Sequence, residues 1–225
     1  MDSFHYLHMQ LRLEGKSVIG KDSLWQVEAV PDEDMPLMLI AQLADQQIVA
    51  YYDQALQPEF HAELAKHIPD IVFPNIDPLL DSLNSQDISF EIGHYKTYLF
   101  PARLAYPTDH EVVCHSRQDP AIQAFGFNGF AEQVYAVERD GKIVSACVST
   151  RENGQCGEAW VYTDPQYRNQ GFAQRVVHVW ALHLIEAGKV PFYSHKMENI
   201  ASANLANRLG LQPVFEEISI SYVNV

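Results

Sequence analysis

At Gly171 the sequence changes its period. Residues 158–163 (EAWVYT) read as a strand, whereas beyond Gly171 the apolar residues Ala173, Val176, Val177, Trp180 and Leu184 recur at three- and four-residue steps until Gly188 supplies a stop. A strand followed after a short loop by an amphipathic helix restricts the chain to a mixed α/β fold. The flanking segments extend the pattern. Residues 134–139 and 142–150 are β-rich runs joined by Asp140-Gly141, a pair that supplies the positive φ of a tight hairpin turn. Downstream, 190–194 is a short strand, 200–209 a helix closed by Gly210, and 213–221 a terminal strand. The predicted order is β, β, β, α, β, α, β.

The first half carries weaker signals. Residues 35–43 (MPLMLIAQL) and 58–68 (PEFHAELAKHI) place apolar residues at helical spacing, with Pro58 near a helix start. Residues 95–100 (YKTYLF) read as a strand that stops at Pro101. With Pro101 and Pro107 as breakers, a boundary is expected within 102–108. This divides the chain into an acidic α/β segment, 1–105, and a second domain, 106–225.

Charge narrows the partners. The 225 residues hold 15 Lys+Arg against 29 Asp+Glu, a formal net charge of −14, which argues against a generic grip on nucleic acid or anionic lipid. Residues 1–110 carry 6 basic and 17 acidic side chains, a net of −11. Within 168–208, however, Arg168, Arg175, Lys189, Lys196 and Arg208 outnumber Glu186 and Glu198. A basic island in an acidic chain points to an anionic ligand there. No stretch approaches the roughly 20 apolar residues of a membrane span, and the start is not a basic, then apolar, leader. Cys114, Cys147 and Cys156 form neither a CxxC pair nor an even framework. A cytoplasmic protein is expected, and no metal is implied; His5 and His8 make an HxxH pair without a third ligand.

The loop ahead of the long helix, DPQYRNQGFA (164–173), carries the chemistry. The N–H groups of a first helical turn have no intrahelical partner, and the helix dipole makes that end partly positive. They form an anion site from backbone alone. Gly171 and the small Ala173 are expected to let a diphosphate approach closely, and Arg168 adds a charged fork beside it.

Arg168-Asn169-Gln170-Gly171-Phe172-Ala173 resembles the acyl-CoA fingerprint of the GNAT N-acetyltransferases: Gln or Arg, two residues, Gly, one residue, Gly or Ala. The wider VYTDPQYRNQGFA is similar to the strand, Pro-x-Tyr-Arg and loop that precede the family's diphosphate helix. About 30 residues on, Asn199-Ile200-Ala201-Ser202 through Arg208-Leu209-Gly210-Leu211 resembles the second signature, an Asn-led helix ending in Leu-Gly-Phe. The likeness covers residues 130–221. It implies an α/β fold of the GNAT type, a mixed, mostly antiparallel sheet flanked by helices with an additional N-terminal α/β segment, and acetyl-CoA as co-substrate. It places Val161, Tyr162 and Thr163 along the pantetheine arm, the backbone of Val161 and Thr163 holding it. Arg168 and the N–H groups of Asn169, Gln170, Gly171, Phe172 and Ala173 would take the diphosphate. Asn199 and Ser202 would line the slot opposite, although Asn199 is equally a helix cap and Ser202 a first-turn polar residue.

The resemblance also implies catalytic groups. Some members carry a basic Glu early in this strand, where Glu158 stands. On a strand Glu158, Trp160 and Tyr162 share a face, so the carboxylate's pKa is expected to rise. Trp160 and Trp180 read as core aromatics, and Cys147 as core. Many members place an acidic Tyr in the second-signature helix, but Ala206 occupies that position here. Tyr193, His195 and Tyr162 are the nearest substitutes, Tyr193 being preferred, unless the thiolate leaves unaided. The reading is an enzyme moving acetyl from acetyl-CoA to a primary amine; the alternative is a non-catalytic acyl-CoA-binding regulatory module.

Overall fold

A computed structural model describes residues 2–21, 24–29, 38–54, 58–85, 89–101, 104, 109–127 and 131–222. In chain order the elements are α1 (Ser3–Leu13), β1 (Lys16–Lys21), β2 (Trp25–Ala29), β3 (Met38–Leu43), β4 (Ile48–Asp53), α2 (Pro58–His67), α3 (Asp77–Asn84), β5 (Phe90–Leu99), β6 (Val112–Ser116), α4 (Pro120–Phe125), β7 (Gln133–Arg139), β8 (Lys142–Glu152), β9 (Cys156–Thr163), α5 (Phe172–Glu186), β10 (Val190–Lys196), α6 (Ile200–Arg208) and β11 (Gln212–Tyr222). The class is mixed α/β with mostly antiparallel strand pairing. Two compact units divide the chain: Met1–Lys96 with Pro213–Val225, and Thr97–Gln212. The boundary expected within 102–108 falls, apart from Leu104, outside the described residues.

In the second unit the strands run in the order β10-β9-β8-β7-β6. The β7–β8 hairpin turns on Asp140 (φ 52°) and Gly141 (φ 72°), both left-handed as a tight hairpin turn demands. Helix α5 lies across β7, β8 and β9 and buries Val176, Val177, Trp180, Ala181 and Leu184. Trp180 is 1% exposed, and its indole N–H donates to Ser149 Oγ at 2.9 Å, so the largest core side chain buries no unpaired donor. Cys147 joins this core. Alternate residues of β7 and β8, including Val134, Ala136 and Ala146, pack with Ile122 of α4 and with Phe127 in a second cluster. The unit's sheet is therefore covered on both faces, as strands with continuous apolar runs require.

The first unit orders its strands β1-β2-β4-β3-β11-β5. The helix expected over 35–43 is not found: Met38–Leu43 is strand β3, and residues 35–37 lie outside the described residues. A short apolar run fits a buried strand and a buried helix equally, and pairing decides. Here β3 is held antiparallel on both sides, by β4 (Met38↔Tyr52 to Gln42↔Ile48) and by β11 (Phe215↔Leu43 to Ile220↔Met38). Both its faces are buried, so the sequence shows no alternation. The helix expected from Pro58 is α2; its Leu64 packs with Leu79 and Leu83 of α3 over Met38, Ile40, Ile218 and Ile220.

Candidate functional site

Strands β9 and β10 run parallel, and their pairing stops early. The ladder comprises Val190↔Cys156, Pro191↔Gly157 and Phe192↔Glu158. Beyond it β9 continues to Thr163 in register with β8, while β10 continues to Lys196, with no further pairing between them among the described residues. Backbone groups on the inner edge of β9 are thus left for another partner, and an extended ligand carrying amides can use them as a strand would. A cavity of about 640 Å³ lies here, walled by Val161, Tyr162 and Thr163 of β9, Tyr193 of β10, the start of α5 and the first turns of α6.

At one end of the cavity is the loop read from sequence as an anion site. Asp164 opens it by accepting the N–H of Gln166 at 2.9 Å. Arg168 Nε donates to the Thr163 carbonyl at 3.2 Å, which ties the loop back to the strand. Asn169 (φ 62°) and Gly171 (φ 81°) are both left-handed, and α5 starts from Gly171 with no side-chain cap. Its first N–H groups are left to a ligand or solvent, next to the helix's positive end. A Cβ on Gly171 would meet nothing within 4 Å. What the protein itself requires of this glycine is therefore the left-handed backbone, since no protein atom crowds the position. Arg168, Asn169, Gly171, Phe172 and Ala173 all line the cavity, whereas Gln170 does not.

The opposite wall is α6. Asn199 caps it, its side chain accepting the N–H of Ser202 at 3.1 Å, and both residues also line the cavity. Capping and lining are therefore not exclusive. Tyr193 is 2% exposed. Burial pushes its phenol up to about 12, against which a hydrogen bond with Ser202 works. At neutral pH it is a protonated donor at the cavity wall. Ala206 is fully buried, so α6 offers no phenol at that position.

Glu158 lies at the closed end of the wedge, in the last paired step of the β9–β10 ladder. It is 8% exposed, does not line the cavity, and faces Arg151 Nη1 at 3.5 Å. Trp160, expected in the core, is 38% exposed; it packs on Phe127 at 4.5 Å between ring centroids, as Tyr162 packs edge-on against Phe125 at 5.5 Å. His195 Nδ1 sits 2.9 Å from the Lys196 carbonyl, which can only accept, so Nδ1 carries the proton and Nε2 faces Tyr98 Oη at 3.4 Å, away from the cavity lining. Sequence reasoning did not single out Tyr167, Gln174 or Arg208 as lining residues. Tyr167 stands inside the quoted Pro-x-Tyr-Arg string, and Arg208 inside the basic island, so both signals were present. Among the described residues no three His, Cys, Asp or Glu side chains converge as a metal site.

The family model described as GNAT acetyltransferase matches residues 123–217. The chain carries a GNAT acetyltransferase domain. The GNAT fold extends to solved structures. A GNAT-family acetyltransferase from Colwellia psychrerythraea superposes with a TM-score of 0.52 at 13% identity, covering 99% of this chain and 98% of that one. A functionally unknown conserved protein of Staphylococcus epidermidis gives 0.52 at 10% identity, covering 94% and 96%. A protein of Novosphingobium aromaticivorans assigned to the GNAT family gives 0.51 at 18% identity over 60% of this chain; the match spans 66% of that protein, just under two thirds. At such identities the likeness concerns the fold. No curated protein matches the sequence. The match to the GNAT family model supports acyl transfer in general.

Proposed function

We propose that the chain moves an acetyl group from acetyl-CoA to a primary amine of a small molecule by direct transfer in a ternary complex. The observation that carries this is the early end of the β9–β10 ladder, with an uncapped helix start at the open end of the wedge and a protonated phenol on its wall. The donor's diphosphate would lie on the N–H groups of 169–173, and its pantetheine amides would pair with Val161 and Thr163. That direction carries the thioester toward Tyr193 and the closed end, where Glu158 stands.

The chemistry then follows from this chain's own groups. The amine lone pair attacks the thioester carbonyl, a C–N bond forms and the C–S bond breaks. Glu158, which stands outside the cavity lining, takes the proton lost by the amine through a bridging water, and Tyr193 donates its phenolic proton or a hydrogen bond to the departing thiolate. Holding both substrates in one wedge supplies much of the rate. The net −11 of residues 1–110 favours a cationic acceptor through long-range attraction. Three free thiols suit a reducing compartment, the cytoplasm. Among the described residues no helix is long and apolar enough to cross a membrane.

Ala206, where the resemblance calls for a Tyr, favours a second reading, an acyl-CoA-binding regulatory module without catalysis. Thiol release from acetyl-CoA across an amine panel separates the two. Release with at least one amine, reduced in Glu158→Gln, supports the enzyme; a thermal shift with acetyl-CoA but no release with any amine supports the module; no thermal shift at millimolar acetyl-CoA overturns both.

A further inference from the structure

The first turn of α5 is braced by a network of four charges that the fingerprint does not contain. Arg175, one turn into the helix, makes a two-pronged pair with Asp109: Nη2 lies 2.7 Å from Oδ1, and Nε bonds Oδ2. Its Nη1 is 3.0 Å from Glu111 Oε2, and the same carboxylate oxygen is 2.6 Å from Arg139 Nη2. The two guanidinium groups flank one ring. Arg139 lies 4.8 Å and Arg175 5.9 Å from the centroid of Phe172, the first residue of α5 and a lining residue of the cavity. Asp109 is held below the usual carboxylate range by its hydrogen bonds with Arg175, so the network stays charged at neutral pH. Strand β7 supplies Arg139, and Asp109 and Glu111 immediately precede or abut β6, so the helix start is fixed to the sheet rather than to its own loop.

We infer that Asp109 and Arg175, with Glu111 and Arg139 behind them, are positioning residues for the donor's diphosphate: they set where the N–H groups of Phe172 and Ala173 stand. This rests on the cavity taking an acyl-CoA. The network's committed guanidiniums are not the phosphate's counter-ions. Each already has a carboxylate, and a planar fork that holds a carboxylate in two places resists rotation as a single ammonium does not.

Electrostatics and positioning give opposite signs for one substitution. Asp109→Asn removes a negative charge near an anion site and releases a guanidinium, so a purely electrostatic role tightens CoA binding. A positioning role loosens it, by about tenfold for a cradle displaced by a fraction of an ångström. Arg175→Lys keeps the charge and loses the fork, and is expected to loosen binding similarly. The experiment is a calorimetric titration of wild type, Asp109→Asn and Arg175→Lys with CoA and with pantetheine, which lacks the diphosphate. The expected result is a weaker Kd for CoA in both variants with the Kd for pantetheine unchanged. Tighter or unaltered CoA binding in Asp109→Asn, or equal losses for CoA and pantetheine, overturns the inference. Failure of the wild type to bind CoA at all would instead sink the proposed function. Should Asp109→Asn not fold, Arg175→Lys alone carries the comparison.

Discussion

Replacing Tyr193 by Phe tests the chemistry most directly. Phe keeps the ring in its buried position and removes only the hydroxyl, so the cavity wall retains its shape. Losing the phenol's interaction with Ser202 costs at most about 1 kcal/mol, which for 225 residues lowers Tm by no more than about 2–4 °C. The expected catalytic loss is larger because in the proposed reaction the phenol's partner is a developing thiolate. A hydrogen bond to a charged group contributes about 1.5–3 kcal/mol, and each 1.36 kcal/mol is tenfold in rate. We expect kcat to fall on the order of 10–100-fold with KM for acetyl-CoA within about twofold, since uniform binding is untouched. The assay is thiol release at saturating acetyl-CoA with an amine that the wild type accepts, alongside a melting curve. A folded variant whose kcat equals that of wild type would show that the thiolate departs without Tyr193.

The same phenol affects alkaline stability. Its folded pKa of about 12 lies above the ordinary 10, so its contribution is complete below pH 10 and is lost as the pH rises toward 12. At two pKa units this amounts to at most about 2–3 kcal/mol. Tyr193→Phe is expected to flatten the fall of unfolding free energy between pH 10 and 12, a slope unchanged from wild type being the contrary result; Tyr51 and Tyr135, also pushed up by burial, keep part of that slope. Gly171→Ala meets no steric obstacle, so its cost is the left-handed backbone, about 1–2 kcal/mol, read as a lower Tm together with weaker CoA binding. An Ala variant as stable as wild type would remove the backbone argument. Trp180→Ala empties the α5 core and leaves Ser149 without its indole partner; a loss of about 3–5 kcal/mol in denaturant unfolding is expected, and a loss below 1 kcal/mol would contradict the packing described.

Local chemistry was legible wherever a single segment contains its own cause. Asp140-Gly141 dictates a hairpin because positive φ is intrinsic to those two residues, and the change of period at Gly171 dictates strand, loop and helix because burial on one face requires it. The loop proposed to take the diphosphate is of this kind, since backbone N–H groups and a helix start need no distant partner. Two misreadings show the limit. Residues 38–43 carry the spacing of a helix and are a strand because β4 and β11 flank them, a fact written in distant parts of the chain. Trp160 reads as a core aromatic, yet it is 38% exposed, because its exposure depends on what Phe127 leaves uncovered.

What the sequence determined alone is the helix start, its glycine and the strand before it, because these follow from the torsional preferences and periodicity of contiguous residues. Only the tertiary structure decided where the β9–β10 ladder ends, that Tyr193 is buried at the cavity wall near Ser202, that Glu158 lies outside the cavity beside Arg151, and that Asp109 grips Arg175. These are encounters between residues far apart in the chain, and their energies depend on burial and distance, neither of which a one-dimensional pattern contains.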